Sequence, residues 1–149
     1  MTSYHVAQLN VARPRADLAD PSMADFVAGL ARLNALADGA PGFVWRLQDS
    51  DTGDATGLRP FGPDIMLNML VWASVDDLRA YVYRSAHLDS LRRRNEWFHH
   101  EGLDHYLVLW WIPAGTLPTV EEAWARLETL GRDGPGPEAF TLRQTFPAP

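Results

Sequence analysis

Few side chains in this sequence could do chemistry, and the most suggestive is a histidine. His87 stands one helical turn before Leu91, at the border of an apolar stripe on an expected helix. Imidazole ionises near neutrality, so such a residue can take a proton from a substrate or ligate a haem iron. The structural alternative bonds the same ring to a backbone carbonyl. Asn10 and Asn68 are polar residues within apolar strands. A buried amide left without a hydrogen bond costs ~1–3 kcal/mol, so each needs a partner: the other amide, backbone or a ligand. Trp45, Trp72, Trp97 and Trp110 could stack on a flat ligand or fill a core. Arg84 could grip a carboxylate with two parallel hydrogen bonds or form a surface ion pair.

Other chemistries are excluded or weakened. The chain has no cysteine, hence no disulfide, thiolate metal site or thiol nucleophile. All thirteen basic residues are Arg, which removes Schiff-base chemistry and a phosphate-loop lysine. A net charge of −6 argues against non-specific nucleic-acid binding, which depends on neutralising phosphates. The run His99-His100-Glu101-x-x-Asp104-His105 carries metal-ligand types at a spacing that matches no defined motif, and no metal is expected. No nucleophile elbow or dinucleotide glycine motif occurs, so no cofactor is expected, with haem as the alternative. The opening residues are too short and polar for a signal peptide and no apolar run approaches ~18 residues, which reads as cytoplasmic with no membrane partner.

The elements that must position these residues follow from periodicity. Tyr4 to Val11 reads as a strand. Asp20-Pro21 is a helix start whose apolar stripe is Met23, Phe26, Val27, Leu30, Leu33 and Ala37. Phe43 to Gln48 alternates as a second strand, and Asp49 to Asp64 is a long polar loop, a functional flap or a mobile segment. Ile65 to Ala73 is the third strand. Ser74 and Asp77 open a helix carrying Leu78, Tyr81 and Val82, whose stripe falters near Ser85 and resumes in a second segment. Tyr106 to Ile112 is the fourth strand. Thr119 and Glu122 form a capping box for a helix ending near Gly131, and Phe140 to Phe146 reads as a short edge strand.

The 149 residues suit one domain. The order predicts an α+β fold: a ferredoxin-like βαββαβ unit with a four-stranded antiparallel sheet, plus an extra C-terminal helix and short strand. Along the third strand Met66, Leu70 and Trp72 alternate with Leu67, Met69 and Val71, so both faces are apolar and need cover. A second copy laying its sheet on the free face predicts a homodimer, a dimeric α+β barrel.

Certain segments carry a resemblance. Ala7-Gln8-Leu9-Asn10, Pro41 to Gln48, Val71-Trp72-Ala73-Ser74, Tyr83-Arg84-Ser85-Ala86-His87, Glu96-Trp97-Phe98, Leu107 to Trp111 and Glu138 to Thr141 are similar to the bacterial domain of unknown function 3291 family, over nearly the whole chain. The resemblance implies the dimeric α+β barrel fold, which also serves antibiotic-biosynthesis monooxygenases, haem-degrading enzymes and small decarboxylases or isomerases. Thr116 stands where relatives often carry His. In dimeric-barrel monooxygenases a strand–helix–His arrangement like Trp72 to His87 lines a cleft between helices and sheet. The resemblance supports His87 as the catalytic residue. With strand placement putting Asn10, Arg46, Asn68 and Trp72 on the floor of that cleft, these four together with Arg84 and Trp97 are the expected substrate-binding residues.

Three readings remain open. The first is a cofactor-independent monooxygenase-like or isomerase-like enzyme acting on a flat hydrophobic small molecule. The second is a non-catalytic haem or metabolite binder, and the third a purely structural dimeric scaffold.

Overall fold

Three capping signals start three helical segments where the sequence places them. The Asp20 carboxylate accepts from the Ser22 N–H (2.9 Å) and hydroxyl (2.7 Å) and opens a 3-10 turn, Pro21–Met23, that runs into α1, Ala24–Asp38. Those two bonds, the backbone one first, hold the Asp20 carboxyl below its ordinary value. Ser74 accepts from the Asp77 N–H at 3.0 Å and opens α2, Val75–Val82. Thr119 accepts from the Glu122 N–H at 3.1 Å and opens α3, Val120–Asp133.

The computed structural model describes residues 3–51, 53–83, 93–99, 101, 103 and 105–149. The bend expected near Ser85 falls outside them, as do His87 and Arg84, while residues 93–97 are helical. The strands are β1 (Tyr4–Pro14), β2 (Phe43–Arg46), β3 (Met66–Trp72), β4 (Phe98–His99) and β5 (Leu107–Pro113). β1 is central and pairs antiparallel with β3 on one side and β5 on the other, with β2 beyond β3. The two residues of β4 continue the β5 side against Arg13 and Pro14. This order is that of a ferredoxin-like sheet.

Side-chain alternation gives the sheet two faces. Val6, Leu70, Trp72 and Leu109 face α1 and α2 and share a core with Leu78, Tyr81 and Phe140. Leu9, Met69, Val71 and Trp110 face the other way and pack on Ala123, Leu127 and Leu130 of α3. The cover assigned above to a second copy is therefore supplied within the chain. Trp110 is fully buried, and its indole N–H donates to Glu122 of α3 at 3.1 Å, a polar tie across that interface. The apolar strand pattern alone no longer requires a dimer.

Two further expectations change. The second strand stops at Arg46, although Leu47 still donates its N–H to Met69 at 2.8 Å. The last strand is reduced to one bridge: Phe140 and Leu109 exchange two backbone bonds of 2.8 Å on the outer edge of β5. Phe140 is fully buried and anchors the tail.

Gly42 marks a tight joint between the α1–β2 turn and α2. Its φ is 80°, and a Cβ there would run into the Asp77 carboxylate. Its carbonyl accepts from the Ala73 N–H at 2.7 Å. Gly42→Ala is expected to cost more than about 1 kcal/mol, because the side chain meets both a left-handed backbone and an occupied site. Leu130→Ala is expected to cost about 2–5 kcal/mol, since it opens a cavity in the α3 interface. Urea denaturation checks both; a loss below about 1 kcal/mol for Leu130→Ala would show that α3 does not seal this face.

Candidate functional site

The helix-facing side of the sheet carries a row of amides where a packed core would want aliphatic residues. Val6, Gln8, Asn10 and Ala12 of β1 lie on that face, and Asn10 sits directly opposite Asn68 of β3. Asn68 is exposed although Leu67 and Met69 beside it are buried. α1 cannot seal against such a row. Only Ala37 of the helix is fully buried, and its stripe residues Phe26, Leu30 and Leu33 remain half-buried.

The gap is a cavity of about 220 Å³. Its floor includes Asn10, Ala12, Met66 and Asn68, its roof Phe26, Leu30, Leu33 and Asn34. Tyr81 of α2 and Phe98 of β4 close two sides, and Asp54, Ala55 and Thr56 of the long loop close another. An engineered cavity of about 150 Å³ holds benzene, so this one has room for a substituted single ring. It lies below the ~300–1,000 Å³ range of drug-sized sites.

A hydrogen-bonded chain fixes how one amide meets this space. The Trp72 indole N–H donates to Gln8 Oε1 at 3.3 Å, and Gln8 Nε2 donates to Asn10 Oδ1 at 2.7 Å. Trp72 is fully buried and Gln8 is 8% exposed, the one buried polar residue among those described. Gln8 was not singled out from the sequence as a site residue. The available signal was its period-two spacing from Asn10 on an apolar strand.

The expected site residues separate into three groups. Asn10 and Asn68 come together on the cavity floor. Trp72, Trp97 and Arg46 do not line it. Trp72 packs on Tyr81 (4.9 Å between ring centroids) and Phe43 (5.8 Å) beneath the site. Trp97 is 5% exposed, 5.5 Å from the Phe26 ring and under the Arg93 guanidinium at 4.8 Å. Arg46 bonds Asp38 at the end of α1 (2.8 Å) and the Gly53 carbonyl (2.6 Å), clasping the loop to the helix. It borders an adjoining groove that shares Leu30, Asn34 and Asp54 with the cavity. Arg84 and His87 form the third group, outside the described residues.

The loop expected as a flap or a mobile segment is built from side-chain turns. Asp49 accepts from the Asp51 N–H at 2.9 Å, and Asp54 accepts from the Thr56 N–H (2.9 Å) and hydroxyl (2.6 Å). Arg59 caps it by donating to Thr56 and Pro63 carbonyls at 3.0 and 2.7 Å. The loop also reaches the opposite face, where Phe61 packs on Trp124 at 4.6 Å. No sequence signal distinguished the wall residues Asp54 to Thr56 from the rest of this polar stretch. Among the described residues no group of three His, Asp or Glu could hold a metal ion. No described helix is long and apolar enough to cross a membrane.

A ferredoxin-like α+β domain with a single-ring-sized cavity between α1 and the sheet defines the class. Within that class the chain belongs to the family of the domain of unknown function DUF3291, which matches residues 5–149. No curated protein matches it. Among solved structures it is similar to SnoaB, a cofactor-independent oxygenase from Streptomyces nogalater, at 17% identity over 79% of this chain and 98% of that one, with a TM-score of 0.45. It is also similar to a Nitrosomonas europaea protein provisionally assigned as an antibiotic biosynthesis monooxygenase, at 14% identity over 78% and 93% of the two chains, TM-score 0.47.

Exposure at Asn68 separates its contribution to folding from that of its neighbour. Asn68→Ala is expected to change stability by no more than about 0.5 kcal/mol, as for an exposed surface position. Met69→Ala, one residue on and fully buried, should cost about 2–5 kcal/mol. Thermal or urea denaturation of the pair checks this contrast.

Proposed function

We propose that the protein binds a flat, largely apolar molecule of single-ring size under α1 and removes a proton from it, as a cofactor-independent monooxygenase-like or isomerase-like enzyme. The observation that carries this reading is the Asn10–Asn68 pair opening into an otherwise mostly apolar cavity. Natural pockets of this kind combine apolar walls with a few convergent polar groups that orient the ligand. Rings of Phe26, Phe98 and Tyr81, rather than Trp72 and Trp97, supply the flat surfaces.

Carboxamide donors suit an oxygen that gains negative charge. When an enolisable or phenolic substrate loses its proton, the electron pair left behind spreads onto oxygen, and N–H donors lower the cost of forming it. In this proposal His87 is the proton acceptor and Arg84 the anchor for a substrate carboxylate. In the isomerase form the proton returns to a different carbon. In the oxygenase form a CH₂ group gives up two hydrogens, one atom of dioxygen becomes its carbonyl oxygen and the other leaves in water. The carbon is oxidised and dioxygen is the oxidant. The volume favours a single ring over the haem alternative, whose macrocycle is far larger than benzene. A homodimer would have to form through a surface other than the α3-covered sheet face, and sedimentation at micromolar concentration decides whether it does.

The test is a panel of single-ring phenols and enolisable ketones, followed by binding, dioxygen uptake and proton exchange. A substrate of this class should bind saturably and turn over, and His87→Ala should lower kcat by about 10²–10⁴ while leaving binding in place. Saturable binding with no uptake and no exchange in the wild type would replace the enzyme by a carrier. No binding by any member of the panel would leave the scaffold reading.

A further inference from the structure

The hydrogen-bonded chain beneath the cavity determines which end of the Asn10 amide a ligand meets. An indole N–H only donates, so whichever amide atom of Gln8 faces Trp72 at 3.3 Å must be the oxygen. That leaves the Gln8 amino group to face Asn10 at 2.7 Å, and the atom of Asn10 that receives it must again be oxygen. Carboxamide oxygen and nitrogen are otherwise easily interchanged, but here a donor-only group at the end of the chain removes the ambiguity. The Asn10 amino group, at the other end of the same carboxamide, has no acceptor among the described residues, and Asn10 lines the cavity.

We infer that Gln8 is a positioning residue that locks the Asn10 amide with its N–H donors toward the cavity, making the site selective for ligands that present an acceptor oxygen, above all a phenolate or enolate. Gln8 touches no ligand itself. It acts by holding Asn10 in one of two orientations that an isolated asparagine would populate together. Its burial keeps water from satisfying the competing orientation, and a buried polar group left unpaired is costly. The inference rests on the cavity being the ligand site, as proposed above.

The polarity of the chain predicts what reversing it does. A carboxylate at position 8 has no donor, so it accepts from Trp72 and also from the Asn10 amino group. Asn10 must then turn its oxygen to the cavity. The site changes from one that donates to the ligand to one that accepts from it. Gln8→Met keeps the length of the side chain and removes both bonds, releasing Asn10 to either orientation.

4-Nitrophenol reads this directly. It is a single ring, and its phenolate absorbs at much longer wavelength than its phenol, so spectra of the bound probe across pH give its ionisation in the site. The wild-type protein is expected to favour the bound phenolate about tenfold, one pKa unit below the free probe. Gln8→Met should cut that preference to about threefold or less. Gln8→Glu, followed to a pH where the introduced carboxylate is ionised, should reverse it so that the phenol is held more tightly. Asp54 in the cavity wall is common to all three proteins. The carboxylate of Gln8→Glu also repels a phenolate by its own charge, so the neutral Gln8→Met variant isolates the orientation of Asn10.

Two outcomes overturn the inference and they are distinct. If the probe binds the wild type and both variants with the same bound-state ionisation, Gln8 does not orient Asn10, although the cavity stands as a site. If the wild type shows no saturable binding, the ligand site itself is lost and the inference falls with it. Gln8→Met keeps the test decisive if the buried carboxylate of Gln8→Glu prevents folding.

Discussion

The rest of the site follows from one constraint: the amides of Gln8, Asn10 and Asn68 sit on a sheet face that a helix would otherwise seal. Two of them are tied to the core through Trp72, one of two fully buried tryptophans of the sheet. The third is left open. Covering that row with aliphatic side chains would strand its remaining donors and acceptors, each at a cost comparable to a full hydrogen bond. α1 therefore rests on the sheet near its C-terminal end, at Ala37, and stands away from it over Asn10 and Asn68. The resulting cavity is a product of sheet polarity and not a packing defect.

The opposite face shows the contrast. There the middle of the sheet is apolar, with Ala7, Leu9 and Val11 of β1, Leu67, Met69 and Val71 of β3 and Val108, Trp110 and Ile112 of β5. α3 closes on it through Ala123, Leu127 and Leu130 with the Trp110–Glu122 bond as its polar tie. One sheet thus carries a sealed face and an interrupted face that leaves the cavity open. The long loop joins them at the rim, contributing Asp54 to Thr56 to the cavity wall and Phe61 to the α3 side. Arg46 holds that loop to α1 through Asp38 and Gly53, so the wall and the roof are mechanically connected.

Much of this was legible in the sequence, and the failures have physical causes. Caps at Asp20, Ser74 and Thr119 and the period-two strands place nearly every element, because each depends on local chemistry. The cover of the second face was misassigned because an apolar strand records only that it is buried, not whether a helix of its own chain or a partner's sheet buries it. Asn10 and Asn68 stood out as amides among aliphatics. Trp72 and Trp97 read as possible stacking surfaces because ring content is visible in sequence and ring orientation is not. Gln8 was passed over because its importance lies in a bond to Trp72, 64 positions away. Arg46 shows the same limit: its charge was apparent, while its engagement with Asp38 and Gly53 depends on the loop's path.

In the proposed function the amide row is where a ligand's oxygen is received. The most direct measurement is a titration of ¹⁵N-labelled protein with a single-ring phenol, following side-chain carboxamide resonances by NMR. If the row receives it, the NH₂ signals of Asn10 and Asn68 shift together and saturate at one concentration, while the Gln144 amide on the exposed tail stays in place. Saturable shifts confined to other sites, with Asn10 and Asn68 unmoved, would contradict it.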